Sequence, residues 1–138
     1  CCSLEMLEAA QKTAAGTNLE FLAVSILTSW NKNNLEQIGI SQNVEDQVKT
    51  LIELACKAKL SGVIASAQDI ALARDISKDI KIFCPGIRDD QNVHDQKRTL
   101  SYKEFSVIAD DKCFAVIGRP IYEGDPLENI KKIINSAK

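Results

Sequence analysis

Four short apolar runs, each followed by a stretch with helical spacing, constrain the fold of this chain more than any other feature. The runs cover residues 21–27, 62–65, 82–84 and 113–117. Nearly continuous apolar runs of this length are typical of strands in a parallel sheet that is covered on both faces. Strand, helix and strand in this order require right-handed parallel crossovers. The sequence therefore predicts an α/β fold with four βα units.

The stretches between these runs carry the signals of helices. Apolar residues recur at helical spacing over residues 4–15, 44–59, 69–78, 101–109 and 125–136. The last of these begins with Asp125 and Pro126, an N-cap residue followed by a proline that suits the first helical position. One helix thus precedes the first strand. We expect a single domain over residues 1–138, because 138 residues suit one domain with a real core.

Composition excludes several classes of protein. The formal net charge of −2 gives no electrostatic reason to expect nucleic acid or an anionic membrane as a partner. No apolar run approaches the ~20 residues that a membrane span needs, and no signal-peptide pattern opens the chain. We expect a soluble, cytoplasmic protein. The chain begins with Cys1 and not with methionine, which suggests a processed, trimmed or excised segment.

The cysteines and the single histidine argue against disulfides and metals. The chain has 5 cysteines without a C-x-x-C pair, and an odd number does not fit a disulfide framework. With His94 as the one histidine, a zinc site would need an unusual ligand set. We therefore predict no metal and no cofactor, and we interpret Cys56, Cys84 and Cys113 as small buried hydrophobic residues.

Two of the predicted strands end in a glycine that an arginine follows within two residues. These turns are Gly86-Ile87-Arg88 and Gly118-Arg119. Backbone N–H groups and a planar guanidinium at one point favour a doubly charged oxyanion, and the loops after the last two strands of a (β/α)8 barrel commonly form a phosphate site. Either turn alone could equally be a tight turn with a solvated arginine. The two together predict a phosphate site.

Four segments in order and spacing carry a resemblance to a known family. They are residues 27–29 (Leu-Thr-Ser), 84–88 (Cys-Pro-Gly-Ile-Arg), 95–98 (Asp-Gln-Lys-Arg) and 116–121 (Val-Ile-Gly-Arg-Pro-Ile). Together they resemble the second half of orotidine 5'-monophosphate decarboxylase, the barrel enzyme that converts orotidine monophosphate to uridine monophosphate (UMP). The resemblance implies a (β/α)8 barrel of which this chain holds only the C-terminal half, strands five to eight, over residues 1–138.

The resemblance also implies which residues contact the phosphate. Arg119, with the backbone of Gly118, looks like the main phosphate clamp of the family. Arg88 would line the same mouth of the barrel. Gln96 lies in a loop that closes over the ligand in the family, and it would reach the phosphate and the pyrimidine side; from the residues alone it could equally be a solvated loop residue.

A second group of residues is implied on the pyrimidine side. Ser29 resembles the serine that bonds the pyrimidine ring, Thr28 resembles the neighbouring threonine, and Pro85 would sit near the ring. From the residues alone, Thr28 and Ser29 could instead cap the following segment, and Pro85 could be ordinary turn chemistry.

The catalytic residues of the family have no match in this chain. The family uses an array of lysines and aspartates in a D-x-K-x-x-D type motif, whose lysine protonates the carbon from which carbon dioxide leaves. Asp110-Asp111-Lys112 precedes a strand and would face the wrong end of a barrel. We therefore assign no catalytic residue, and we expect the isolated chain to lack decarboxylase activity.

A half barrel has consequences for partners and leaves alternatives open. Two free sheet edges and an apolar inner face are a liability in water. We expect a homodimer of half barrels or a complex with a separate N-terminal half, with orotidine or uridine monophosphate as ligand. The alternatives are a truncated remnant, a non-enzymatic nucleotide-phosphate binder, or another phosphate-binding barrel such as a hexulose-phosphate synthase or a ketogulonate-phosphate decarboxylase.

Overall fold

The protein is built on one four-stranded parallel sheet. The structure, a computed structural model, describes residues 3–89 and 98–138. The strand order is β1-β2-β3-β4, which is also the order along the chain. The strands are β1 (Leu22–Val24), β2 (Gly62–Ile64), β3 (Lys81–Pro85) and β4 (Cys113–Val116). The predicted α/β fold with four parallel strands is confirmed.

Helices precede, separate and follow these strands. They are α1 (Leu4–Ala14), α2 (Lys32–Gln37), α3 (Val44–Lys57), α4 (Ile70–Ile76), α5 (Tyr102–Ile108), α6 (Arg119–Tyr122) and α7 (Pro126–Ser136), with a 3-10 turn at Ala67–Asp69. Side chains cap most of their N-termini. For example, the Ser101 hydroxyl oxygen accepts a hydrogen bond from the backbone N–H of Glu104, and the Glu104 carboxylate accepts one from the backbone N–H of Ser101. Asp125 caps α7 ahead of Pro126, as predicted.

The core lies between the two central strands of the sheet, β2 and β3, and the helices that cover them. Val63 on β2 and Ile82 on β3 are fully buried, and so are Val48 and Ile52 on α3. Helix α3 contacts α1, α4 and the first two strands. Residues 44–57 therefore form the amphipathic helix that the spacing predicts, and its apolar face covers the sheet.

The last strand and the last helix are far less covered. Phe114 and Val116 on β4 are 40% and 47% exposed, and α7 buries no residue completely although it is strongly amphipathic. Leu127 and Ile134 on that helix are 72% and 54% exposed. An amphipathic helix with an uncovered apolar stripe indicates a face that lacks a partner.

Three sequence-based expectations need correction. The first strand ends at Val24 and does not run to residue 27, because the carbonyl groups of residues 26–28 bind an arginine and not a neighbouring strand. The segment Lys32–Gln37 has no apolar spacing that predicts a helix, but it forms helix α2, whose N-terminus Asn31 caps through a capping box. Helix α6 was expected to be only a turn after Gly118.

The three cysteines in the described part of the chain are free thiols. Cys84 is fully buried as predicted, and burial raises its pKa to about 12. Cys56 and Cys113 are only half-buried, so the expectation of full burial is wrong for them. Among residues 3–89 and 98–138 no group of three potential metal ligands comes together, and none of the helices there is long and apolar enough to cross a membrane.

Candidate functional site

A cavity of about 500 Å3 opens at the carboxyl edge of the parallel sheet. All four strands contribute their ends to it, because the carboxyl ends of parallel strands meet at one edge. The described lining residues are Val24, Ile26, Leu27, Thr28, Ser29, Ile64, Ala65, Pro85, Gly86, Ile87, Arg88, Val116, Ile117, Gly118, Arg119, Pro120 and Tyr122. In α/β folds of this kind, ligands bind at this edge.

Six of the seven residues predicted to bind substrate line this single cavity. They come from three separate segments of the chain: Thr28 and Ser29, Pro85 and Arg88, and Gly118 and Arg119. Gln96, the seventh, lies outside the described residues, as does His94. The structure thus brings the predicted residues together, while their contacts to a ligand stay predictions.

The two glycine-arginine turns lie side by side. Strands β3 and β4 pair in parallel with Pro85 opposite Val116, so the two turns leave the sheet at the same level. Gly86 has a φ of +83°, a left-handed conformation that favours glycine, and this explains the residue at that position. Gly118 has a negative φ of −108°, so its backbone conformation does not by itself require glycine.

The first of these arginines is fixed by its backbone. The N–H of Arg88 donates to the carbonyl of Leu100 at 2.9 Å, and Ile87 and Leu100 form a parallel bridge. The Nε atom of Arg88 is buried and has no hydrogen-bond partner within residues 3–89 and 98–138. Arg88 lines the cavity, and a guanidinium on a cavity wall can bind an anion that enters it.

The second arginine follows β4 directly. Gly118 precedes the short helix α6, and its carbonyl accepts hydrogen bonds from Ile121 at 2.8 Å and Tyr122 at 3.4 Å. Arg119 is exposed at the mouth of the cavity. Both guanidinium groups therefore belong to one end of the molecule, which is the arrangement that a phosphate site at this edge needs.

The residues predicted to contact a pyrimidine stand on a segment that has left the sheet. The last ladder hydrogen bond of this region joins the N–H of Ser25 to the carbonyl of Ile64 at 3.0 Å. Thr28 is 7% exposed and Ser29 is half-buried. Both residues line the cavity.

Arg98 and Asp69 support this segment, although no sequence pattern assigns a role to either residue. Nη1 of Arg98 binds both carboxylate oxygens of Asp69, at 3.0 and 2.8 Å, and the two side chains are 13% and 10% exposed. Burial raises the pKa of Asp69, and the Arg98 guanidinium opposes that rise. The partners are 29 residues apart. Two sequence signals included these residues: the predicted helix start at Asp69 and the polar segment 95–98, which ends at Arg98.

The cavity is cationic. Its described lining includes two arginines but no carboxylate, lysine or histidine. Such a wall can hold a phosphate and a polar ring. Among the described residues, however, it offers neither a lysine nor a carboxylic acid that could protonate a carbon atom.

Comparison with known proteins gives a consistent result. The model of the Orotidine 5'-phosphate decarboxylase / HUMPS family matches residues 1–133. Orotidine 5'-phosphate decarboxylase of Wolbachia pipientis is 36% identical over 134 residues, which cover 96% of this chain and 58% of that protein. The enzyme of Ehrlichia chaffeensis is 33% identical, with the same coverage of 96% and 58%.

The solved structures agree on the fold. The crystal structure of orotidine 5'-phosphate decarboxylase from Lactobacillus acidophilus aligns with a TM-score of 0.74 at 23% identity, over 99% of this chain and 59% of that one. The match to just over half of a barrel structure confirms the predicted partial (β/α)8 fold. This chain therefore spans only about 58% of the length of the curated relatives named above.

Proposed function

The chain belongs to the orotidine 5'-phosphate decarboxylase / HUMPS family, and from this premise we propose that it supplies the phosphate-binding and pyrimidine-binding half of an orotidine 5'-monophosphate decarboxylase barrel. One observation carries the proposal: six residues from three distant segments, chosen from the sequence alone, line a single cavity. A volume of about 500 Å3 is within the usual range of small-molecule sites.

The phosphate end of the proposed site consists of the two glycine-arginine turns. Arg119 and the backbone of Gly118 clamp the phosphate, and Arg88 provides a second guanidinium on the adjacent turn. Two cations on a wall without a carboxylate favour a dianion. By the family resemblance, Gln96 adds a further hydrogen bond to the phosphate.

The base end of the proposed site lies against β1. Ser29 and Thr28 offer hydroxyl groups to the polar edge of the pyrimidine, and Pro85 with Ile64 gives the ring an apolar wall. Hydrogen bonds to a ring edge are selective, because an analogue that lacks the matching group leaves buried polar atoms unpaired.

Decarboxylation needs more than these groups. The carbanion-like centre that forms as carbon dioxide leaves must take up a proton, and the described cavity wall has neither a lysine nor a carboxylate. We therefore propose that the chain binds nucleotide but is inactive alone. The catalytic lysine and aspartate array would come from the remaining part of the barrel.

A partner that closes the barrel is part of the same proposal. The edge strands β1 and β4 expose Val24 (54%) and Val116 (47%), and Leu27 beside the cavity is 52% exposed. A second copy of this chain or a separate N-terminal half would cover these side chains and complete eight strands. The free thiols of the described cysteines fit a cytoplasmic location, where thiols stay reduced.

Ligand titration and an activity assay test the proposal directly. Isothermal titration of the 138-residue chain with UMP should give saturable binding, and the same preparation should release no carbon dioxide from orotidine monophosphate. Turnover by the purified chain would contradict the proposal that the chain is inactive alone. The absence of UMP binding would contradict the proposal that the chain binds nucleotide.

The oligomeric state tests the closure of the barrel. Size-exclusion chromatography with light scattering should show a dimer at micromolar concentration, or a complex once an N-terminal half is added. A stable monomer that does not change on addition of that half would argue against closure.

A second candidate remains within the same family, because the matching family model covers HUMPS proteins as well as decarboxylases. Such a protein would bind a phosphorylated sugar through the same two arginines and would have no use for a base site. Titration with ribulose phosphate alongside UMP separates the two: tighter binding of the sugar phosphate would favour the second candidate. UMP binding with no activity even after complementation would indicate a nucleotide-phosphate binding module.

A further inference from the structure

Arg98 binds three consecutive backbone carbonyl groups of one segment. Its Nη2 atom donates to the carbonyls of Ile26 at 2.9 Å and Leu27 at 3.5 Å, and its backbone N–H donates to the carbonyl of Thr28 at 3.2 Å. Ile26 and Thr28 are nearly buried, and buried carbonyl groups need donors. Because β1 ends at Val24, no neighbouring strand provides those donors.

Asp69 holds Arg98 in this position. The carboxylate binds the guanidinium through both oxygens and also accepts the backbone N–H of Ser66 at 3.2 Å, just beyond the end of β2. The hydroxyl of Ser66 in turn donates to the carbonyl of Arg98 at 3.2 Å. The end of β2 is thereby connected through Arg98 to the segment that follows β1.

We propose that Arg98, held by Asp69, is a positioning residue that fixes the Thr28–Ser29 wall of the cavity and so sets recognition of the base, separately from the phosphate. This inference rests on the proposed function for the identity of the base. The separation follows from the contacts: Arg98 binds the segment after β1, whereas Arg88 and Arg119 stand on the turns after β3 and β4.

The test compares two ligands on the 138-residue chain. Arg98→Lys keeps the positive charge but loses the planar guanidinium that binds the carboxylate and two carbonyls at once. We expect its affinity for UMP to fall about 10-fold, since 10-fold corresponds to one hydrogen bond of the charged class, while its affinity for ribose 5-phosphate falls clearly less. Equal losses for both ligands would overturn the proposal.

Arg74→Lys is the matched control. Arg74 also binds an aspartate, Asp110, and backbone carbonyls, those of Ser77 and Ile80, but at the amino edge of the sheet. The Arg74→Lys variant should change the affinity for UMP and the affinity for ribose 5-phosphate by no more than about 2-fold. If Arg74→Lys changed the ratio of the two affinities as much as Arg98→Lys does, the change would reflect a general loss of stability in the fold. The positioning role of Arg98 would then be refuted.

Hydrogen exchange provides a readout that needs no ligand. The N–H of Trp30 donates to the carbonyl of Leu27 at 2.9 Å, a carbonyl that Arg98 also contacts. Exchange of this amide should be about 10-fold faster in Arg98→Lys, and unchanged in Arg74→Lys, because local opening replaces a fixed hydrogen bond. Unchanged exchange at Trp30 in Arg98→Lys would overturn the proposal.

A second variant covers the case in which Arg98→Lys does not fold. Asp69→Asn keeps the shape of the side chain and removes the charge that holds Arg98, so it should show the same selective loss for UMP. If the unaltered chain binds no UMP, the proposed function fails, yet the exchange at Trp30 still decides whether Arg98 positions the segment.

Discussion

An arginine binds an aspartate and backbone carbonyls at each end of the parallel sheet, but the two pairs stand in different surroundings. At the carboxyl end, Arg98 and Asp69 are 13% and 10% exposed and lie beside the cavity. At the amino end, Arg74 is 12% exposed while its partner Asp110 is 41% exposed. The first pair is buried on both sides, and the second has one side in water.

The charges around the two pairs also differ. The amino end carries further exposed pairs, Lys81 with Glu20 and Lys112 with Asp79, so that cations and anions balance there. The described cavity wall at the carboxyl end has arginines without carboxylates. In barrels of this kind, the amino end commonly serves stability and the carboxyl end serves ligands. The comparison indicates the same division in this half barrel.

The largest expected effect is the loss of the buried carboxylate. Asp69→Ala leaves Arg98 as a buried cation without its counter-ion, and removing one partner of a buried pair costs about 3–5 kcal/mol of unfolding free energy. Asp110→Ala should cost less, because Asp110 is 41% exposed and water can take its place beside Arg74. Urea denaturation of both variants measures the difference; equal losses would break the comparison between the two ends.

The next effect concerns the ligand. Arg119→Ala should weaken UMP binding by about 1.5–3 kcal/mol, the contribution of a charge-assisted hydrogen bond, with little change in stability because Arg119 is exposed. Arg74→Ala, at the other end of the sheet, should leave UMP affinity unchanged. Isothermal titration checks both. Unchanged affinity in Arg119→Ala would remove this residue from the site.

A third effect tests whether the amino end depends on close packing. Gly62 begins β2, and a Cβ atom there would lie 2.6 Å from the carbonyl oxygen of Lys81 and 2.9 Å from Cδ2 of Leu22. Gly62→Ala should therefore cost about 1–3 kcal/mol by forcing the strands apart. Gly118→Ala is the matched control at the carboxyl end, since its nearest neighbour would be the Tyr122 ring at an ordinary 3.6 Å. Thermal melts that show the same loss for both would contradict this interpretation.

The smallest effect is the pH dependence of the exposed pair. The Arg74 hydrogen bond holds the pKa of Asp110 well below its usual range. A lowered pKa in the folded state contributes stability above the ordinary value near 4, and that contribution is lost as the pH falls below it. The gap in melting temperature between the unaltered protein and Asp110→Asn should therefore shrink from pH 7 to pH 3. A gap that grows on acidification would have the wrong sign.

Part of the site followed from the sequence because parallel strands have simple geometry. Once residues 82–84 and 113–117 were identified as neighbouring parallel strands, the turns after them had to share an edge, and Arg88 and Arg119 lie there. The resemblance of residues 27–29 to the family's pyrimidine segment then added Thr28 and Ser29. These predictions depended on local patterns and on chain order, which a sequence displays directly.

What the sequence did not predict depends on contacts between distant residues. Local propensity favoured a strand through residue 27, but the carbonyls of Ile26 and Leu27 bind the guanidinium of Arg98, which lies 72 and 71 residues further along the chain. The carbonyl of Thr28 binds the backbone N–H of the same arginine. Helix α2 was overlooked because its six residues, Lys32–Gln37, are mostly polar and begin at an asparagine cap. Likewise, the sequence shows Asp69 only as an acidic residue at a helix start, and it does not show that the side chain is buried against Arg98.

By itself the sequence determined the α/β class, the four parallel strands and the edge of the sheet at which the glycine-arginine turns meet, because apolar periodicity and turn residues act over a few positions. Only the tertiary structure decided where the first strand ends, which arginine binds the segment after it and which arginine-aspartate pair is buried. Burial and hydrogen-bond partners are properties of neighbours in space, and residues 29 or more positions apart become neighbours only when the sheet assembles.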